Sequence, residues 1–289
     1  MSNTRRRIEE LSLIDDFMFT EASVDQKTAQ ILVGMIITRA TGLKVGKLVI
    51  EAQKTVNGVD TDCHGVRLDV AVHEVETEEG KTVQLFDIEP NNIQTDNLPK
   101  RSRYYQALTD VKVLESGIDY DKIPNLWMIW ILPYDPFEKD YMMYSVKNRV
   151  EEFPEIEYND GVRKLFLYTG GTKGGTESLR DLLVYIQNSK AENAVDEELK
   201  ELHSNVERLK SKKEIGVKYM RMQDVIEYKI KTAVEANTIE VTQKVTENVE
   251  QQMAELAKIL VNANRMEDLQ RMADDKDYRK KLLAEFDMA

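Results

Sequence analysis

Two acidic residues twenty positions apart, Asp69 and Glu89, are the chain's clearest candidates for chemistry. Asp69 stands in VRLDVAVH (66–73), where Val66, Leu68, Val70 and Val72 share one parity and Arg67, Asp69, Ala71 and His73 the other. Glu89 closes TVQLFDIE (82–89), where Val83, Leu85, Asp87 and Glu89 alternate with Gln84, Phe86 and Ile88. Alternation of this kind marks β-strands, whose successive side chains point to opposite faces. The polar EVETEEGK between them, with Gly80, reads as a hairpin connection. Such a hairpin brings the two carboxylates together across the ladder, where they repel unless a cation sits between them. All-oxygen ligation with room for water suits Mg²⁺ or Mn²⁺. A cation of that kind makes a water more acidic and stabilises charge on a phosphoryl oxygen. The same two acids also fit an ordinary solvated sheet face, so the pair by itself leaves both readings open.

The pair needs a frame. Residues 26–41 carry Ile31, Leu32, Met35 and Ile36 without a proline, which predicts a helix stopped by Gly42. Residues 43–56, rich in Val, Ile and Leu, predict a strand before the hairpin. Pro99 suits a first helical position, and Tyr104, Leu108 and Val111 follow at helical spacing over 100–116, with Arg101 and Tyr105 alongside. NLWMIWIL (125–132) is almost wholly apolar, as in a strand buried on both faces, and Trp127 and Trp130 then belong to the core. The order is helix, three strands, helix, strand. Further strands are expected at 141–146 and 164–169, and GGTKGG (170–175) reads as a loop, since it lacks the Gly-Lys-Ser/Thr ending of a phosphate loop. The fold class is therefore α/β.

Composition changes near residue 190. Val195, Leu199, Leu202, Val206 and Leu209 recur at spacings of 4, 3, 4 and 3, a heptad seam. Val217, Met220, Val225, Ile230 and Val234 follow more loosely, and Val241, Val245, Val249, Met253, Leu256 and Leu260 extend the stripe. No proline follows Pro154. Two domains result, a body over 1–190 and a helical, partly coiled-coil region over 191–289. The helices either pack on the body or join copies of the chain into a homo-oligomer.

Composition excludes several classes. The 289 residues carry 40 Lys and Arg against 52 Asp and Glu, a net charge of −12, with 42% hydrophobic residues. No third of the chain is basic: residues 1–100 hold 11 basic and 17 acidic side chains, 101–190 hold 12 and 14, and 191–289 hold 17 and 21. Any nucleic-acid contact must then use a local basic cluster or metal ions that offset carboxylates. The single cysteine, Cys63, excludes an intrachain disulfide and fits a reducing, cytoplasmic setting. No apolar run reaches the roughly 20 residues of a membrane helix, and no apolar segment follows the basic start to make a secretory signal. Cys63, His64 and His73 offer at most three zinc ligands, and the adjacent Cys63 and His64 point to opposite strand faces, which argues against a nucleophile pair. The best basic cluster is Pro99-Lys100-Arg101-Ser102-Arg103-Tyr104-Tyr105, a helix start offering N–H groups and three cations to phosphate. Its arginines could equally pair with nearby acids, with Tyr104 in the core. Arg67 shares a strand face with Asp69 and either meets phosphate or holds the acid.

GVRLDVAV, VQLFDIEPN and LPKRSRYYQALTD together resemble the PD-(D/E)XK nuclease family transposases, also called recombination-promoting nucleases. GIDYDKIPNLWMIWIL, YDPF, NDGVRKLFLYTGG, the early DDFMF and the later KKEIGVKYM agree in order, from about residue 12 to 225. The resemblance implies a restriction-endonuclease-like core and a Mg²⁺- or Mn²⁺-dependent endonuclease acting on DNA, tied to recombination or mobile elements. Asp69 and Glu89 would be its metal ligands. Asn91 would stand at the third catalytic position, where the family has Lys or often Gln, and Pro90 between them is a further departure. Asn91 offers only a short neutral amide, and Asn92, Gln94 or Lys100 are candidates to replace the missing cation. DNA contacts would fall to Arg67, Lys100, Arg101, Arg103 and Tyr105. Asp16 matches an acidic landmark or caps a helix, and Asp87 shares the parity of Glu89. The alternative is a catalytically degraded nuclease-fold protein serving as a DNA- or protein-binding module. A third reading is a coiled-coil interaction protein with the body as a platform.

Overall fold

The computed structural model describes residues 6–44, 46–56, 66–75, 82–94, 97–113 and 119–288, without the side chains at 53–56, 66–68, 74, 75, 82 and 83. Cys63, His64 and most of the hairpin connection lie outside the described residues. The chain divides into two compact units, Met1–Tyr219 and Met220–Ala289.

The first unit is α/β, built on a mixed six-stranded sheet in the order β1-β2-β3-β4-β6-β5. β1 (Lys47–Val56), β2 (Val66–Val75) and β3 (Thr82–Pro90) form an antiparallel meander. α3 (Leu98–Val113) then crosses over, and β4 (Asn125–Leu132) runs parallel to β3. A parallel return requires such a crossover, since a tight turn can only reverse the chain. β6 (Val162–Tyr168) is parallel to β4, and β5 (Met143–Val146) closes the edge antiparallel to β6.

Parity decides what each sheet face carries. Ala71, Leu85, Leu126, Met128, Trp130 and Phe166 form one buried cluster with Leu98, Tyr105 and Leu108 of α3. Asp69 has the parity of Ala71, and Asp87 and Glu89 that of Leu85, so all three acids lie on the face that α3 covers. The other parity, with Val70, Val72, Phe86, Ile88, Ile129 and Ile131, is buried as well.

α1 (Asp16–Val24) and α2 (Gln26–Thr41) precede the sheet. Asp25 starts α2, its Oδ1 accepting from the Thr28 N–H at 3.2 Å and the Thr28 hydroxyl at 2.7 Å. Gly42 ends it at φ 73°, a left-handed conformation that a glycine adopts without strain. α4 (Glu177–Gln187) and α5 (Glu197–Lys210) follow β6. The heptad seam is buried inside this unit: Leu199, Leu202, Val206 and Leu209 are all 0–1% exposed, while Val195 is 57% exposed. Ion pairs bind α5 to α2, Arg39 Nη2 reaching Asp196 Oδ2 at 2.9 Å and Arg208 Nη2 reaching Asp25 Oδ1 at 2.6 Å. The compact unit therefore runs past the composition change near 190 to Tyr219, because α5 spends its apolar stripe on the body.

α6 (Lys213–Asn262) is a 50-residue helix, and its stretch from Met220 opens the second unit with α7 (Met266–Asp274) and α8 (Lys276–Glu285). Leu256, Leu260 and Leu282 are the buried centre there, flanked by Leu269, Tyr278 and Phe286. Upstream on α6, Ile230, Val234, Val241, Val245 and Val249 are exposed. Among the described residues, no helix is long and apolar enough to cross a membrane.

Candidate active site

The site grows from the point where β2 and β3 stop pairing. Backbone register runs to Val70↔Ile88. One residue further, the Asp69 N–H donates to Glu89 Oε1 at 2.7 Å, so a carboxylate replaces the next main-chain acceptor. Pro90, which has no N–H, sits where β3 needs no donor toward β2 and still aligns with Ile131 of β4. Asn91 then donates its backbone N–H to the Ile131 carbonyl at 2.9 Å. The proline thus ends the hairpin side of β3 while leaving the β4 side intact.

Glu89 and Asp87 are each 2% exposed. Among the described residues, neither Asp87 oxygen has a hydrogen-bond partner. Burial pushes the Asp87 carboxyl up to about 7, the Asp69 charge adds to the push, and Glu89 and the Arg101 guanidinium pull against it. Burial likewise holds Glu89 well above the usual carboxylate range, helped by the charges of Asp87 and Asp69 and opposed by the Asp69 N–H and Arg101. Asp87 and Glu89 are neighbours, and a proton on either would give the other a donor. Like charges gathered in a dry place are costly, and a proton or a cation is what relieves them.

Among the described residues, the cation supplied to these acids is Arg101. Its Nε donates to the Tyr105 hydroxyl at 3.0 Å and its Nη1 to Asn91 Oδ1 at 3.3 Å, and Nη2 lies 4.0 Å from Glu89 Oε2. The guanidinium carbon lies 5.0 Å from the Trp130 ring centre and 5.1 Å from that of Tyr105. Asn91, 8% exposed, is used on both ends: its Nδ2 donates to the Tyr134 hydroxyl at 2.6 Å and to the Ile93 carbonyl at 2.9 Å. Asn92 ties in the N-terminal helix, its Nδ2 donating to the Ile14 carbonyl at 2.6 Å and to Asp16 Oδ1 at 3.0 Å. Asp15 is the cap residue of α1 and Asp16 its first residue; burial, with the Asp15 charge, pushes the Asp16 carboxyl up.

The sequence-expected residues divide sharply. Glu89, Asn91 and Arg101 come together, and Asp69 joins them through its backbone N–H. Lys100 and Arg103 face solvent on α3. Tyr105 is 8% exposed and packed at 5.6 Å on Trp130, so it walls Arg101 and offers no open stacking face. Of Tyr104, Leu108 and Val111, expected on the inner face of this helix, Leu108 is buried and the other two are exposed; Leu98, Ser102 and Tyr105 share the inner face with it. The phase is one residue off because Ser102, small enough to pass under Trp130 and accept from its Nε1 at 3.3 Å, belongs to the inner face. Arg67 pairs with Thr55 in the β1–β2 ladder, and its side chain lies outside the described residues. Of the candidates to replace the motif lysine, Asn92 is occupied at α1 and Lys100 faces outward. Tyr134 opens the YDPF landmark but has no role assigned to it by the sequence, since only the end of β4 brings it to Asn91.

Among the described residues, no group of three or more His, Cys, Asp or Glu side chains is arranged to hold a metal ion. Mg²⁺ asks for less, because it keeps several waters and is commonly held by one or two carboxylates together with substrate phosphate. Glu89, held on the Asp69 N–H, and the unpartnered oxygens of Asp87 are the carboxyl groups such an ion would meet here. Comparison with family models, curated proteins and solved structures gives no match to this chain.

Proposed function

We propose that the chain is a metal-dependent DNA endonuclease with a restriction-endonuclease-like core, serving recombination or a mobile element in the cytoplasm. The observation that supports this reading is the Glu89 carboxyl held on the Asp69 N–H, beside the unpartnered Asp87, at the end of a three-stranded meander followed by a helical crossover. Asp69 and Glu89 would hold Mg²⁺ or Mn²⁺, and the ion would supply charge opposite a phosphoryl oxygen and a more acidic water. Water's oxygen bonds to phosphorus while one phosphorus–oxygen bond to a sugar breaks. One water proton ends on the released sugar hydroxyl and the other stays with the new phosphate monoester. Asn91 orients its neighbours by hydrogen bonds, and Lys100 and Arg103, exposed on α3, would meet flanking phosphates, with Arg67 as a further contact.

The test is relaxation of supercoiled plasmid in Mg²⁺ by the purified chain. Cutting that EDTA stops and Asp69→Ala abolishes supports the reading. No metal-dependent cutting of any DNA removes it. A second reading, a degraded nuclease fold that binds DNA or protein, is favoured by Asn91 at the cation position. New activity in Asn91→Lys or Asn91→Gln would select that reading.

Self-association through α6 belongs to the same proposal. Ile230 and Val241, and Val234 and Val245, repeat at eleven residues, the period of a nearly straight or right-handed supercoil. The stripe continues into Leu256 and Leu260, which the chain itself covers with α8, and upstream it is exposed. A second copy would cover the stripe, packing its β-branched side chains as parallel two-stranded coiled coils do, with both charge signs flanking them on α6.

A further inference from the structure

We propose that Arg101 is a catalytic residue: its guanidinium binds the scissile phosphate and takes the place of the lysine that position 91 lacks. The inference rests on the nuclease reading and goes beyond it by moving Arg101 from an outer DNA contact to the reacting group. Position 91 carries a neutral amide, and that amide accepts from Arg101 Nη1 at 3.3 Å. The motif's third position therefore aims a cation instead of supplying one. Trp130 and Tyr105 hold the guanidinium plane, each ring centre about 5 Å away, and the Tyr105 hydroxyl fixes Nε at 3.0 Å.

Of the five guanidinium N–H groups, one goes to Tyr105 and one to Asn91. Both on Nη2 and the second on Nη1 have no hydrogen bond among the described residues, Glu89 Oε2 standing off at 4.0 Å. That is the fork a phosphate's non-bridging oxygens take. The side chain is 35% exposed, so a substrate can reach it. Its charge acts on Asp16, Asp87, Glu89, Tyr105 and Tyr134 alike, which puts one cation in the midst of the acids. As water adds and the phosphorus–oxygen bond breaks, negative charge grows on the non-bridging and leaving oxygens, and a positioned guanidinium stabilises it.

Two measurements on the full chain test this, with Lys112→Gln, exposed further along α3, as the charge-matched control. Single-turnover plasmid cutting in Mg²⁺ should fall about 100-fold or more in Arg101→Gln and about 10-fold in Arg101→Lys, and stay within threefold in Lys112→Gln. Binding of a 20-base-pair duplex in Ca²⁺ should weaken less than about tenfold in either Arg101 variant. Arg101→Gln cutting within threefold of wild type overturns the inference and leaves the nuclease reading standing. If wild type cuts no DNA, the nuclease reading falls, and the duplex decides the phosphate contact: selective weakening in Arg101→Gln keeps it, and equal affinity in Arg101→Gln and Lys112→Gln ends it. Arg101→Lys, which keeps the charge, guards against a folding defect in Arg101→Gln, and equal cutting by the two would also count against a specific fork.

Discussion

A carboxylate that accepts from a main-chain N–H has two jobs, and Glu89 allows them to be separated. Glu89→Gln keeps an acceptor for the Asp69 N–H and removes a charge from a dry, acid-crowded place, so its thermal midpoint should match or exceed wild type. Glu89→Ala leaves that N–H unpaired and should cost roughly 1–3 kcal/mol relative to Glu89→Gln in urea melts. Equal stability of the two would mean that the hydrogen bond contributes nothing. Asp87 predicts a pH effect of definite sign. Its folded value, about 7, lies above the unfolded one near 3.8, so the stability it lends is complete below about pH 4 and is lost as pH rises through 7. Wild type should therefore lose stability against Asp87→Asn between pH 5 and 8, and a flat difference would contradict the burial argument. Residue types and parity made Asp69, Asp87 and Glu89 legible in the sequence. The partnership of Asn91 with Tyr134 and Arg101 was not, because it depends on how α3 and β4 converge.

Elements with strong local signals were legible almost to the residue. α2 begins and ends as Asp25 and Gly42 dictate, and β4 matches its apolar run at 125–132. α1 and α4 carried no such expectation. α1 is buried on several sides, so its sequence shows little of the amphipathic period that reveals a surface helix. The heptad seam of α5 left two readings open, and packing on the body is the one it takes: helices that pack inside a domain use the same spacing as coiled coils. The α2–α5 junction offers a direct test. Partial burial pushes the Asp25 carboxyl up, yet hydrogen bonds from Arg208 and Thr28 hold it well below the usual carboxylate range. Its stabilisation is then present above about pH 4 and declines as pH falls toward the folded value. Asp25→Ala should cost about 1–2 kcal/mol at pH 7, with the gap to wild type shrinking by pH 2. A gap that stays constant over that range would show that the ion pairs do not contribute.

At the scale of the whole molecule, charge and assembly make separate demands. A net charge of −12 repels DNA at long range, so duplex affinity should depend on divalent ions as well as on Lys100, Arg103 and Arg67. The exposed α6 stripe predicts a dimer mass in sedimentation, reduced to one chain by Val241→Glu with Val245→Glu; a monomeric wild type at tens of micromolar would refute self-association. Neither matter bears on the chemistry as directly as the ion itself. A crystal soaked in Mn²⁺ should show an anomalous peak in contact with carboxylate oxygens of both Asp69 and Glu89, and lose it in Asp69→Asn. A fully occupied soak with no peak there, or with one only elsewhere on the chain, would contradict the account.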